Sequence, residues 1–256
     1  MTSATEISHR ILEAVMAQKL APGARLGEQQ LAILFDCSRT VVREALMRLS
    51  TRGIVTVSAR RGWYVIEPSQ DEARDAFEAR RVLELGLLHQ LTSVEPSAVQ
   101  QLRHHLQREK AAIAGDDVGA RSFLLGDFHV CLAECLGNAL LADTLRDFTA
   151  RTMLIALRYQ SSHDAAQSCE DHVRIVDALE AGDIPRAEAL MAAHIGTVQS
   201  SLRPPAAADP LAQLRHALAP LHPGSAPRGG PASASNPAAP QPGVSSDPST
   251  YLGALL

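Results

Sequence analysis

Aromatic residues make up only 4% of this 256-residue chain, and tryptophan occurs once, at Trp63. Alanine and leucine are abundant instead, which favours helices over sheets. Cysteine is scarce. Cys37, Cys131, Cys135 and Cys169 form no C-x-x-C pair and fall within expected helices, so a disulfide framework is disfavoured and buried thiols in a reducing cytoplasm are expected. Long apolar runs are missing, which excludes a membrane span, and the first residues lack the basic-then-apolar pattern of a signal peptide. A cytoplasmic protein with no membrane role is expected. The net charge of −4 is small but uneven. Residues 1–66 hold nine basic and five acidic residues, whereas the remainder holds fifteen and twenty-three. A basic module on an acidic body suits a protein that presents one end to phosphates.

The length allows about two domains of ~100–200 residues each. The first module, residues 1–68, opens with a helix near 5–19 that carries Ile7, Ile11, Leu12, Val15 and Met16 on one stripe, and Ala21-Pro22-Gly23 ends it in a turn. A short helix near 28–35 follows. Ser38 then caps a third helix, in which Val42, Ala45, Leu46 and Leu49 face a core. Arg39, Thr40 and Arg43 fall on the outward side of its first turns, where a recognition helix meets base edges and phosphates. Arg48 and Arg52 lie further from the helix start and read as structural. Gly53 stops the helix. Residues 54–57 and 63–66 read as two short strands joined by the basic turn Ser58-Ala59-Arg60-Arg61-Gly62. Three helices and a basic hairpin make a winged helix-turn-helix, with double-stranded DNA as its partner.

The second module, residues 69–203, is expected to be an all-α antiparallel helical bundle, with segments near 70–92, 97–114, 117–137, 139–160, 169–181 and 184–202. Capping boxes are expected at Ser69-Gln70-Asp71-Glu72 and Ser97-Ala98-Val99-Gln100, and Asn138 reads as a helix cap. Gly182-Asp183 ends one helix and caps the next. Residues 204–256 hold eleven of the fifteen prolines among Ala, Ser and Gly. Such a segment buries too little apolar surface to offset its ordering entropy, so a disordered tail is expected, with a transient helix near 209–219. The fold class is therefore mainly α.

Taken together, these motifs resemble the GntR family of bacterial transcription regulators, in its FadR-like group with an all-helical FCD ligand-binding domain. The resemblance covers about residues 5–202. It rests on Leu20-Ala21-Pro22-Gly23-Ala24-Arg25-Leu26, Glu28 with Leu31-Ala32, Ser38 to Leu46, and Arg61-Gly62 in the first module. In the second it rests on Arg80 with Leu83-Glu84, Phe128-His129, Gly137-Asn138, Asp171-His172 and Met191 with His194. It implies a homodimer on a pseudo-palindromic operator, with Ser38, Arg39, Thr40 and Arg43 on DNA and Arg60, Arg61 and Gly62 at the wing tip. Gln29 stands where some members carry a DNA-contacting arginine.

His129, His172 and His194 each sit on the apolar stripe of a different helix. A core-facing histidine must be hydrogen-bonded or bound to something, because burying an unpaired polar group costs several kcal/mol. Three such residues in one bundle point to a metal site, and by the resemblance they occupy the ligand positions of metal-binding FCD domains. The aspartate those domains add four residues before the first histidine is replaced here by Leu125. Asp127 is about 200° away around the helix and should point elsewhere. Three imidazoles with an open position suit Zn²⁺ or Ni²⁺. The other reading is a metal-free pocket in which the histidines hold an anion directly. Arg80 reads either as an effector contact or as a surface pair with Glu84, and Arg151 and Tyr159 are further effector candidates. The expected function is a transcription regulator, more a repressor than an activator, controlled by a small carboxylate. A metal-dependent enzyme is the rival. Against it stand the lack of an H-E-x-x-H helix and of any carboxylate with an evident place beside the histidines.

Overall fold

A computed structural model describes residues 2–58, 62–159 and 164–203. Arg60 and Arg61 of the expected wing tip lie outside the described residues, as do the tail 204–256 and its expected helix near 209–219.

The first module comprises α1 (Ala4–Met16), β1 (Arg25–Leu26), α2 (Glu28–Leu34), α3 (Arg39–Thr51), β2 (Val55–Ser58) and β3 (Gly62–Val65). The apolar stripe of α1 and the inner face of α3 pack together with Leu26, Ile54, Val55, Trp63 and Val65 into one core. Full burial of each large aliphatic side chain there stabilises by about 1.5–3 kcal/mol. β3 is the middle strand of an antiparallel sheet ordered β1-β3-β2, with Thr56 opposite Tyr64 and Leu26 opposite Trp63. β1 was not expected; two residues carry no periodicity, and pairing with a strand far along the chain defines it. α1 ends three residues before the expected boundary, where Gln18 takes φ 54°. Cys37 lies in the α2–α3 turn rather than in a helix, and Cys131 and Cys135 are only half-buried; Cys169 alone is buried.

The helical body comprises α4 (Gln70–His89), α5 (Pro96–Ala114), α6 (Val118–Cys135), α7 (Ala139–Arg158), α8 (Ala165–Glu180) and α9 (Ile184–Ser200). The Ser69–Glu72 capping box is formed, and Asn138 and Asp183 cap α7 and α9 through Leu141 and Arg186. The box expected at Ser97 does not form. Pro96 occupies the first turn, where it needs no N–H partner, so α5 begins one residue earlier with Glu95 as its cap. α8 begins four residues earlier than expected, because Asp164 caps it through Ala166. In the bundle α4 packs on α7 and α9, α5 on α6 and α8, and α8 on α9.

Helix α7 belongs to both modules. Its Ala150 and Leu154 sit in the core of the first module, whereas Ile155 lies in the core of the bundle. No described helix is long and apolar enough to cross a membrane.

Candidate functional site

Ser38 caps α3 by accepting from the Val41 N–H at 3.3 Å. Ser38, Arg39, Thr40 and Arg43 are all exposed along the first turns of that helix. Glu28, at the first turn of α2, holds this surface together. It receives Arg39 at 3.0 Å, Arg43 at 2.8 and 3.0 Å, and the Trp63 indole N–H at 3.0 Å. The bonds from Arg43 and Trp63 bring its carboxyl down to about 2. One carboxylate thus aligns two guanidinium groups and ties them to β3. Gly62 pairs with Ser58 at φ 91° and opens onto free space, so its backbone is accessible at the base of the hairpin. Arg48 and Arg52 are engaged within the protein, with Glu44 and Thr5 in one case and Asp147 in the other.

In the bundle, α6, α8 and α9 bring His129, His172 and His194 together, all buried, with one ligand nitrogen from each within 4.8 Å of the others. His172 Nε2 and His194 Nε2 are 3.4 Å apart. That matches the ~3.3 Å ligand–ligand edge of a tetrahedral ion with 2.0–2.1 Å bonds. Phe128 stacks on the His172 ring at 3.9 Å between centroids and fixes its plane.

Each imidazole also meets a carboxylate through Nδ1. Glu84 lies 2.5 Å from His129, Glu109 3.0 Å from His172, and Asp171 3.3 Å from His194. A carboxylate on Nδ1 orients an imidazole and leaves Nε2 free to ligate, as in carboxylate–histidine–zinc triads. Burial, reinforced by the Arg80 charge, pushes His129 down to about 3; burial and the neighbouring His172 bring His194 to about 4. Both imidazoles are therefore neutral near pH 7, the form that can ligate a metal. Burial opposes ionisation of Glu84, but His129 and Arg80 together hold it deprotonated. The donor set fits a divalent N-ligand metal, and the three histidines are the residues that could hold it.

These carboxylates correct the expectation that none stands beside the histidines. Sequence spacing could not reveal Glu84 and Glu109, which lie 45 and 63 residues from their partners. Asp171, adjacent to His172, reaches His194 instead. Leu125 is half-buried, and the charged neighbours of Asp127 are His105, Glu134, Arg146 and Arg108 rather than His129. Arg80 does pair with Glu84, at 2.6 Å, but the pair is buried rather than at the surface, and its other arm donates to Thr152 Oγ1 at 3.0 Å. Arg151 and Tyr159 bond to backbone carbonyls outside the histidine cluster. The first donates to the Arg52 carbonyl at 2.5 Å, and the Tyr159 hydroxyl donates to the Pro68 carbonyl at 3.2 Å.

Comparison with known proteins agrees with both halves of this geometry. The family described as bacterial regulatory proteins, gntR family, matches residues 3–65, and the FCD domain matches residues 75–197. An HTH-type transcriptional regulator in an unstable DNA locus of Streptomyces ambofaciens is 31% identical over 203 residues, 77% of this chain and 84% of that protein. The HTH-type transcriptional repressor RspR of Escherichia coli K12 is 27% identical over 188 residues, 72% and 82% of the two chains. The solved structure of E. coli McbR/YncC shares the fold, with a TM-score of 0.68 at 20% identity over 77% of this chain and 95% of that one. The matched gntR and FCD domains, with the 31% identical relative over 77% of the chain, identify it as a transcription regulator of the GntR family.

Proposed function

We propose that the protein is a homodimeric, cytoplasmic repressor whose affinity for a pseudo-palindromic operator is set by a metal-assisted carboxylate ligand in the helical body. The carrying observation is the buried triad His129, His172 and His194, each backed by a carboxylate, in the same chain as the recognition helix. A zinc or nickel ion held there would supply a Lewis-acid position for a ligand carboxylate. Arg80, fixed between Glu84 and Thr152, would add a positive charge close to the same place. Ser38, Arg39, Thr40 and Arg43 would read the major groove, with Arg60, Arg61 and Gly62 contacting DNA from the expected wing tip. Repression follows the relatives, among them RspR, described as a repressor.

The test joins metal analysis to DNA binding. Purified protein should carry about one zinc or nickel per chain, and His172→Ala should lose it while still binding DNA. Operator affinity, followed by anisotropy, should fall on addition of the right carboxylate in wild type but not in His172→Ala. Metal-free wild-type protein that cannot be loaded with either ion would overturn the metal centre. Loss of catalytic turnover in His172→Ala, with DNA binding unaffected by any carboxylate, would favour the enzyme reading.

A further inference from the structure

Two sets of short polar contacts, joined through the backbone of α7, run from the histidine centre to the end of the recognition helix. His129 Nδ1 meets Glu84 at 2.5 Å, and Glu84 receives Arg80 at 2.6 Å. Arg80 donates onward to Thr152 Oγ1 on α7 at 3.0 Å. The Thr152 hydroxyl gives its own proton to the Thr149 carbonyl at 3.0 Å, so a lone pair is what it offers Arg80. The preceding residue, Arg151, leaves α7 on a neighbouring face and donates to the Arg52 carbonyl at 2.5 Å. Arg52 is the C-cap of α3, and its side chain is gripped a second time by Asp147 of α7 at 2.5 Å.

The backbone at this junction is shaped for the contact. Gly53 follows the cap at φ 67°, and a Cβ there would fall 2.0 Å from Arg151 Nη2. Glycine therefore provides both the left-handed turn that ends α3 and the space for the guanidinium. Apolar packing stiffens the same link, since Ala150 and Leu154 of α7 lie in the core of the DNA-binding module. A shift of α7 cannot be absorbed by loose contacts; close-packed cores transmit displacement.

We propose that Thr152 and Arg151 are the positioning residues that couple occupancy of the histidine centre to the recognition helix, with α7 as the rigid element between them. His129, if it ligated a metal together with His172 and His194, would be held in a new orientation and would carry Glu84 with it. Arg80 follows, and its hold on Thr152 passes the change to α7. Arg151 and Asp147 then reset the end of α3, and so the angle at which Arg39 and Arg43 are presented. This inference rests on the metal centre proposed above.

The full-length protein is tested with Zn²⁺ alone and a duplex selected by the wild-type protein from a random pool. Binding is read by anisotropy, and amide exchange at residues 52–54 is read by mass spectrometry. Zinc should change wild-type affinity within the usual allosteric range of about 5–150-fold and alter exchange at 52–54. Thr152→Val should retain zinc and metal-free DNA affinity but shrink the zinc effect to under about 2-fold, a near-complete loss of coupling. Arg151→Gln should lose the exchange response as well. Thr152→Ser, which keeps the acceptor, should respond like wild type and controls for packing. A full zinc response in both Thr152→Val and Arg151→Gln overturns the route. Wild-type protein that binds zinc without any change in affinity or exchange overturns the coupling but leaves the metal centre standing. Failure to bind zinc at all removes the centre itself and this inference with it.

Discussion

Acidifying the metal-free protein from pH 7 to pH 5 should destabilise it through two histidines. Burial holds His129 near 3 and His194 near 4 in the folded state, against an ordinary value of 6.5. Both folded values are depressed, so their contribution is present above pH 6.5 and is lost as the pH falls toward the folded values. At pH 5 the unfolded chain protonates both rings and the folded chain neither, which costs about 2 kcal/mol each, or about 4 together. For a folded body of this size that corresponds to a fall in Tm of roughly 8–16 °C. Two groups act in the other direction. Burial opposes protonation of His105, yet its bonds to Glu109 and the Leu124 carbonyl raise it, and burial raises Asp127. Their offset makes the difference between wild type and His194→Gln the cleaner measurement, with about 2 kcal/mol of the acid sensitivity removed. Thermal unfolding in chelator at pH 7, 6 and 5, monitored by circular dichroism, measures both curves. Identical pH dependence in wild type and His194→Gln would refute the assignment of neutral, core-facing imidazoles.

Arg39→Ala and Arg43→Ala should each remove about 1–3 kcal/mol of base discrimination, seen as lost preference for the selected duplex over unrelated DNA in anisotropy. Glu28→Gln frees both guanidinium groups and weakens the indole contact. The preference should fall, non-specific binding should rise at low salt, and Trp63 emission should move to the red; unchanged emission would show that the carboxylate does not hold β3. Gly53→Ala forces an L residue into a left-handed turn at a cost of about 1–2 kcal/mol, and the new Cβ displaces Arg151. Urea denaturation should show the loss, and a stability equal to wild type would mean that the α3 end rearranges freely.

The helices were legible because their ends are marked locally. Ser38, Ser69, Asn138 and Asp183 each accept from a backbone N–H three residues on, a relation that sequence spacing carries directly. Ser97 misled because a proline just before it starts a helix as effectively as a hydroxyl does. The three histidines were legible for the same kind of reason, since each repeats with leucine, isoleucine or methionine at helical spacing. Their carboxylate partners were not. Glu109 sits on the buried side of α5 and reaches His172 only because α5 packs on α8, a fact of tertiary packing with no trace in local pattern. Arg151 and Tyr159 fall in the expected helix, but which neighbour they face depends on how the two modules dock. The Glu28 clamp was missed although all its members were in view, because it joins residues from α2, α3 and β3.

The presence of Ala150 and Leu154 in the core of the first module makes the boundary between modules a matter of surface chemistry as well as sequence. A fragment ending near residue 68 would expose the apolar seat that α7 fills and would lose the ion pair between Arg52 and Asp147. Grafting this reading head onto another helical body, or this body onto another head, would succeed only if the recipient supplies a small residue and a leucine at the same two places. Exchange of parts among such regulators is therefore limited by one helix face. A recombined protein lacking that match should be recovered as an aggregate before its ligand or its operator becomes relevant.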